Sequence, residues 1–126
     1  MIYISTDYVF AGSGEDFYEV NDEKAPQNVY GKSKLDGELA VQEILDKYFI
    51  VRISWVFGSN GKNFIKTILN LAKNHDKLTV VNDQIGSPTY TVDLAKLLCD
   101  MVFTMLQMKG YVHGMILLVK YLNKHI

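Results

Sequence analysis

The sequence has few of the residues that build cross-linked, membrane-spanning or nucleic-acid-binding proteins. Cys99 is its only cysteine among 126 residues, so a disulfide within the chain and a cysteine-based metal site are both excluded. The 13 basic and 14 acidic residues give a net charge of -1, which favours neither nucleic acid nor an anionic membrane as a partner. The longest apolar run, residues 115–119, is far too short to cross a bilayer. We therefore expect neither partner, and we assign no metal site.

The start of the chain also lacks the features of an exported protein. No basic leader precedes the apolar residues 1–4, and a single cysteine suits a reducing compartment, so we expect a cytoplasmic protein. Hydrophobic residues make up 48% of the sequence, which is typical of a globular domain. The length is enough for one domain with one core.

Hydrophobic periodicity predicts alternating strands and helices. A polar connection with two glycines and a proline occupies residues 6–28 and is expected on the surface. The predicted strands are residues 1–5, 49–56 and 78–81, and the predicted helices are residues 29–48, 63–74 and 91 to about 101. Strands that alternate with helices in this order indicate an α/β fold with parallel pairing.

A glycine-rich turn between a first strand and a first helix is missing. Such a turn opens a complete dinucleotide-binding fold and places the pyrophosphate at a helix N-terminus. The glycine cluster at residues 58–61 follows a strand but lacks a third glycine at the expected spacing, so a surface turn is the favoured interpretation. We interpret the chain as beginning in the middle of a fold.

Tyr30 and Lys34 form the first candidate catalytic pair. Residues four apart on a helix share one face, so the lysine ammonium can lie near the phenol and favour its ionised form. Such a tyrosine can donate a proton to a carbonyl oxygen as a hydride arrives. About one Tyr–Lys pair at this spacing is expected by chance in a chain of this composition, and a surface lysine beside a half-buried tyrosine is the competing interpretation.

The residues after the first predicted strand supply the context for this pair. Thr6 and Asp7 follow that strand, at the edge of a parallel sheet where ligands bind. The Thr6 hydroxyl can bind the carbonyl oxygen that the tyrosine protonates, and Asp7 can bind a sugar hydroxyl. A hydroxyl- or carboxylate-capped turn is the alternative, and it would be preferred without Tyr30 and Lys34.

Several motifs together resemble the dTDP-4-dehydrorhamnose reductase family of extended short-chain dehydrogenases/reductases. The first two are Ile-Ser-Thr-Asp-Tyr-Val-Phe at residues 4–10 and Asn-Val-Tyr-Gly-Lys-Ser-Lys-Leu-Asp-Gly-Glu at residues 28–38. Arg-Ile-Ser-Trp-Val-Phe-Gly at residues 52–58 and Val-Val-Asn-Asp-Gln-Ile-Gly-Ser-Pro-Thr-Tyr at residues 80–90 narrow the resemblance to this family. The resemblance implies a partial Rossmann-like, doubly wound parallel sheet: the second half of an NAD(P)-binding fold plus part of the substrate-binding region.

The same resemblance implies an activity and a set of site residues. The reaction is reduction of dTDP-4-dehydro-6-deoxy-L-mannose to dTDP-L-rhamnose by NADPH or NADH. The implied catalytic residues are Thr6, Tyr30 and Lys34, with Tyr30 as proton donor. Tyr30 and Lys34 also contact the cofactor, and Thr6, Asp7 and Trp55 contact the dTDP-sugar. A core aromatic on a buried strand is the competing interpretation of Trp55.

Two further residues are candidates for the pocket. Gln84 and Thr89 fit it as part of the resemblance, although a turn held by Pro88 explains them equally well. A homodimer stays open, and the choice between NADH and NADPH depends on residues outside this chain.

The sequence departs from the family at both ends. The glycine-rich N-terminal part is absent, so we expect a fragment with little or no turnover alone and with an exposed sheet edge. Residues 1–100 are interpreted as the partial NAD(P)-binding and substrate-binding region. Residues 101–126 do not follow the family pattern, but an offset of two bases permits the family's residues at each codon of the stretch that we compared. We therefore predict a frameshift near residue 100, which the nucleotide sequence of the locus would test.

Two other classes of function stay open. One is a non-catalytic regulatory subunit, similar to the beta subunit of methionine adenosyltransferase. The other is a nucleotide-sugar epimerase or dehydratase of the same superfamily. The tryptophan at residue 55 and the Asp-Gln turn at residues 83–84 favour the reductase pattern over the first. The order Thr6, Asp7, Tyr8 suits simple reduction better than the carboxylate pair that a dehydratase needs.

Overall fold

The structure is a computed structural model that describes residues 1–13, 17–107 and 112–117, the last range by its backbone alone. A 3₁₀ turn at Asp7–Val9 follows the first strand. The strands are β1 (Ile2–Thr6), β2 (Lys47–Ile53), β3 (Val56–Phe57), β4 (Thr89–Tyr90) and β5 (Val112–Leu117), and the helices are α1 (Val29–Ile44), α2 (Phe64–Ala72) and α3 (Thr91–Gln107).

The strands form two parallel sheets, which confirms the predicted α/β class. The larger sheet has the order β1-β2-β5, and the smaller pairs β3 with β4. Ile2 pairs with Phe49 and Thr6 with Ile53, so β1 and β2 end at the same edge. Within the described residues, β1 pairs on one side only, as expected for an incomplete sheet. Among the helices of the same residues, none combines the length and apolar character needed to cross a bilayer.

Helix α1 begins where its capping residue dictates. The Asn28 side chain accepts a hydrogen bond from the Gly31 amide at 2.7 Å, which satisfies one of the free donors of the first turn. The helix ends four residues earlier than predicted, after Ile44. Residues 47–53 join β2 instead, because their aromatic and β-branched side chains pack well on a sheet and their backbone pairs with β1.

The core lies on both sides of the larger sheet. On one side Val51 and Met101 are buried, and partly buried side chains of β1 and α3 pack around them. A second cluster consists of Val9 and Phe10, with Tyr18, Val20 and Leu35 packed against it. The predicted surface connection at residues 6–28 therefore contributes to the core, since the Phe10 and Tyr18 rings stack at 4.4 Å.

One predicted strand and one predicted helix end were wrong in the second half of the chain. Residues 78–81 form no strand, and Val80 and Val81 are exposed, because no described strand lies beside them to pair with. Helix α3 continues six residues beyond the predicted end, through residue 107. The parallel strand β5 beside β2 was not predicted. The prediction of a frameshift near residue 100 stays a prediction.

Candidate active site

The candidate site is a cleft of about 430 Å³ beside the shared edge at which β1 and β2 end. Carboxyl ends of parallel strands are the usual place for a ligand in an open α/β sheet. Asp7, Tyr8 and Phe10 after β1 line the cleft, and so do Ser54 and Trp55 after β2. Residues 83–87 complete the lining beside Trp55.

Thr6 and Asp7 lie together at the end of β1. The Thr6 hydroxyl donates to the Asp7 carboxylate at 3.0 Å and accepts from the Tyr8 amide at 3.3 Å. Burial raises the pKa of the Asp7 carboxyl, while hydrogen bonds from Thr6 and from backbone amides oppose that rise. Thr6 is almost fully buried, so it adjoins the cleft through Asp7 and does not line it directly.

Tyr30 lies in the first turn of α1, beside a residue that lines the cleft. Its ring is half exposed and packs edge-to-face on Tyr8, with 6.0 Å between the ring centroids. Gly31 makes this approach possible, because a Cβ there would collide with the Tyr8 carbonyl oxygen. The helix start therefore lies against the turn after β1, and Tyr30 is held beside a cleft-lining residue.

Lys34 lies one helical turn after Tyr30 and contacts β1. Its ammonium group donates to the Ile4 carbonyl oxygen at 2.8 Å and lies 5.0 Å from the centroid of the Tyr3 ring. The Tyr3 hydroxyl donates to the Lys34 carbonyl oxygen at 3.4 Å. Burial is the main cause that raises the pKa of Tyr3, followed by the charge of Glu38 and by Tyr30. Tyr3 is thus a neighbour of the Tyr30–Lys34 pair that the sequence analysis did not identify.

Trp55 lies at the cleft and not in the core. Its side chain is 46% exposed and its φ of 44° is the only positive value at a described non-glycine residue. This backbone conformation ends β2 and separates it from β3, so the single predicted strand at residues 49–56 is two strands. The competing interpretation of Trp55 as a core aromatic is wrong.

The structure distinguishes the two further pocket candidates, Gln84 and Thr89. Gln84 lines the cleft. Thr89 is buried in β4, where its amide donates to the Trp55 carbonyl oxygen at 3.3 Å. Thr89 therefore contacts the backbone of a cleft residue and does not face the cleft itself.

A buried ion pair ties α1 to β2 behind the cleft. The Arg52 guanidinium donates to both carboxylate oxygens of Glu38, at 2.9 and 2.6 Å, and both side chains are essentially inaccessible. Arg52 also donates to the Val20 carbonyl oxygen at 3.0 Å and lies over the Phe10 ring. The sequence analysis did not identify this pair, although a lone arginine in a predicted buried strand was a signal that it needed a partner.

Residues 58–61 form a surface bend before α2, and side chains near the helix start donate to its carbonyl oxygens. The Lys66 ammonium group donates to the carbonyl oxygens of Ser59 and Gly61, and the Asn63 side chain accepts from the Lys66 amide. The start of α2 is therefore already capped by the chain itself. In the residues that the structure describes, no group of three or more His, Cys, Asp or Glu side chains could hold a metal ion.

The chain shares sequence with proteins of known activity. It is 52% identical over 89 residues to the dTDP-4-dehydrorhamnose reductase of Escherichia coli, which covers 71% of this chain and 30% of that protein. It is 50% identical over 95 residues to the spore coat polysaccharide biosynthesis protein SpsK of Bacillus subtilis, covering 75% of this chain and 34% of that one. The chain thus spans about a third of the length of these curated relatives.

A solved structure gives the same result for the fold. The crystal structure of the dTDP-4-dehydrorhamnose reductase from Bacillus anthracis, in complex with NADP, superposes with a TM-score of 0.81 and 45% identity. It covers 91% of this chain, which corresponds to 40% of that protein. The family profile described as the RmlD substrate binding domain matches residues 1–116. On this sequence match, the chain belongs to the RmlD substrate-binding domain family.

Proposed function

We propose that this chain is the catalytic and sugar-binding part of a reductase that converts dTDP-4-dehydro-6-deoxy-L-mannose to dTDP-L-rhamnose. The observation that carries the proposal is the cleft at the ends of β1 and β2. Asp7 and Trp55 both line it, and Tyr30 packs on Tyr8, another residue of its lining. The identity to dTDP-4-dehydrorhamnose reductases supports the same assignment.

The proposed chemistry uses groups that this arrangement holds near one another. The Tyr30 hydroxyl donates its proton to the C4 carbonyl oxygen of the sugar as the carbonyl carbon is reduced. Thr6 is assigned a second hydrogen bond to that oxygen; because its hydroxyl is buried behind Asp7, this requires the turn after β1 to shift as well as the bond to Asp7 to break. Asp7 accepts from a sugar hydroxyl, and Trp55 offers an apolar surface to the sugar ring.

Residues of this chain suit the nicotinamide end of the cofactor, and the described residues do not provide for its pyrophosphate. The Lys34 ammonium suits a ribose hydroxyl as a donor, and the Tyr30 oxygen can accept from a ribose hydroxyl while its proton goes to the sugar; a nicotinamide bound there would supply the hydride. For that contact Lys34 has to release the Ile4 carbonyl oxygen. In the described residues, the glycines before α2, Gly58 and Gly61, lack the third glycine of a dinucleotide-binding turn, so they offer no such turn to the pyrophosphate. We infer that NADPH or NADH binds jointly to this part and to a preceding glycine-rich part.

The proposal also covers the cellular location and the partners of the enzyme. A cytoplasmic location is supported by the single free thiol of Cys99, which suits a reducing compartment. The partner is a dTDP-sugar, and a homodimer is left to direct measurement. As isolated, the chain is expected to turn over little or no substrate, because the site for the pyrophosphate is incomplete.

The activity can be tested by restoring the missing part. The first part of the Bacillus anthracis relative, up to the residue that matches Met1, is fused to this chain, and oxidation of NADPH and of NADH is followed with dTDP-4-dehydro-6-deoxy-L-mannose. We expect turnover in the fusion and none in the 126-residue chain. A folded fusion that binds NADPH but reduces no sugar would contradict the reductase assignment. It would favour the regulatory-subunit alternative, and elimination of water from the sugar would favour a dehydratase.

A further inference from the structure

The turn that carries Trp55 is under backbone strain. A φ of 44° places a bulky aromatic residue in the left-handed region, where a side chain costs about 1–2 kcal/mol relative to a normal conformation. Such strain persists only where surrounding contacts compensate for it, and it is common at binding sites. Contacts that hold Trp55 in this conformation are therefore expected nearby.

Two polar contacts hold the backbone around Trp55. The buried Ser54 hydroxyl donates to the Ser87 carbonyl oxygen at 2.6 Å, and the Thr89 amide donates to the Trp55 carbonyl oxygen at 3.3 Å. The pairing of Val56 with Thr89 continues this connection into β3 and β4. Residues 54–56 are thus fastened to residues 87–89 on both sides of the tryptophan.

The indole ring itself lies against Gly86. A Cβ built at Gly86 would lie 2.7 Å from Cε2 of Trp55, 2.8 Å from Cζ2 and 3.1 Å from Nε1. Real Cβ contacts of this kind are essentially never shorter than 3.0 Å, so any side chain at this position must displace the ring or the loop. The ring atoms that contact Gly86 belong to a residue that lines the cleft, and Gly86 lines the same cleft.

We propose that Gly86 is a positioning residue and a determinant of substrate specificity. Because glycine has no side chain, the Trp55 indole can lie against it. The hydrogen bond from Ser54 to Ser87 holds the loop that carries Gly86. In this position the ring lines the cleft that Asp7 also lines. The position of the ring then decides which sugar ring fits. The effect on the sugar substrate rests on the proposed reductase function, whereas the placement of the Trp55 indole by Gly86 does not.

The contact between Gly86 and the Trp55 indole can be tested on the 126-residue chain without any ligand. Trp55 is its only tryptophan, so tryptophan fluorescence reports on this ring alone. We expect Gly86→Ala to shift the emission maximum and to change the acrylamide quenching constant. The matched control is Ser87→Ala, which places the same side chain one residue further on and keeps the Ser87 carbonyl oxygen that Ser54 uses. Identical emission and quenching in the two variants would overturn the proposal.

The consequence for the substrate is tested in the restored-length fusion. We expect Gly86→Ala to raise KM for the dTDP-sugar about tenfold or more while kcat changes less, because a displaced indole weakens binding of the sugar ring. Since Gly86 acts through Trp55, adding Gly86→Ala to Trp55→Ala is expected to change KM no further. A second, independent loss of the same size in the double variant would contradict this coupling.

Two outcomes remain to be separated. If the fusion reduces no sugar, the proposed reductase function fails, and the fluorescence comparison still decides whether Gly86 positions the indole. If Gly86→Ala unfolds the chain, removal of the ring by Trp55→Ala is expected to restore folding, as measured by circular dichroism. A double variant that remains unfolded would overturn the proposal.

Discussion

At the scale of single residues, Asp7 has the most unusual environment of the carboxylates near the cleft. It is the first residue of the 3₁₀ turn, its side chain is partly buried beside Thr6, and burial raises the pKa of its carboxyl above the usual value. A raised pKa in the folded state means that ionised Asp7 destabilises the fold. The stabilisation associated with protonated Asp7 is complete below its unfolded pKa and is lost as pH rises through the folded pKa.

The replacement Asp7→Asn tests this sign. Asparagine keeps an oxygen that accepts from Thr6 but has no charge to bury, so we expect the variant to unfold at a higher temperature than the parent at pH 7. The difference in Tm should shrink as pH falls toward and below the usual pKa of aspartate, where the parent carboxyl is also neutral. Thermal unfolding followed by circular dichroism between pH 3 and pH 7 measures it. A difference that grows on acidification would show that burial is not the dominant cause.

The residues of the candidate site differ in how far the sequence predicted their surroundings. Asp7 and Trp55 share one cleft, as the resemblance implied, because they end neighbouring parallel strands. The hydrogen bond from Lys34 to Ile4 could not be predicted, since its partner is a backbone carbonyl 30 residues away. The contact of Trp55 with Gly86 depends equally on a backbone conformation that no local pattern encodes. The roles of Thr6, Tyr30 and Lys34 stay predictions.

At the scale of secondary-structure elements, the Glu38–Arg52 pair fixes α1 against β2. Arg52 makes its contacts with three separate segments: Glu38 in α1, the Phe10 ring and the Val20 carbonyl oxygen. Glu38 lies one turn after Lys34 and two turns after Tyr30 on α1. The Glu38–Arg52 ion pair therefore fixes the position of α1 along and about its axis, and with it the positions of Tyr30 and Lys34. Its role is therefore to position α1 beside the cleft.

Breaking this pair should destabilise the chain strongly. Glu38→Gln leaves a buried guanidinium without its counter-charge, which costs about 3–5 kcal/mol of unfolding free energy. We expect the double variant Glu38→Leu, Arg52→Met to be more stable than either single variant, because no unpaired charge remains. Urea unfolding measures these values, with the exposed Glu43→Gln on the same helix as control. A loss for Glu38→Gln no larger than for Glu43→Gln would contradict the positioning role.

The elements that the sequence predicted well are those with local signals. Helix α1 begins at residue 29, as predicted, because Asn28 caps it. Residues 78–81 have the composition of a strand but lack a paired neighbour among the described residues, so composition alone misled the prediction. The end of α3 was placed too early, at about residue 101, whereas the helix continues to residue 107.

At the scale of the whole molecule, the described residues account for part of a sheet and for part of the proposed cofactor site. Strand β1 pairs on one side only within the described residues, and the chain corresponds to 40% of the Bacillus anthracis relative. The proposed site holds the groups for proton transfer and sugar binding, whereas the pyrophosphate needs a helix start that the described residues do not offer. We therefore expect activity from the restored-length fusion and not from the 126-residue chain.

The most direct test of the central claim is the rate of sugar-dependent NADPH oxidation by the restored-length fusion with Tyr30→Phe. The variant keeps the ring that packs on Tyr8 and removes only the hydroxyl proton. Tyr48→Phe, at the end of β2 that lies away from the cleft, is the matched control. The account predicts a fall in kcat of about 10²-fold or more for Tyr30→Phe, with NADPH still bound, and little change for Tyr48→Phe. A Tyr30→Phe fusion as active as the control would contradict the assignment of Tyr30 as the proton donor.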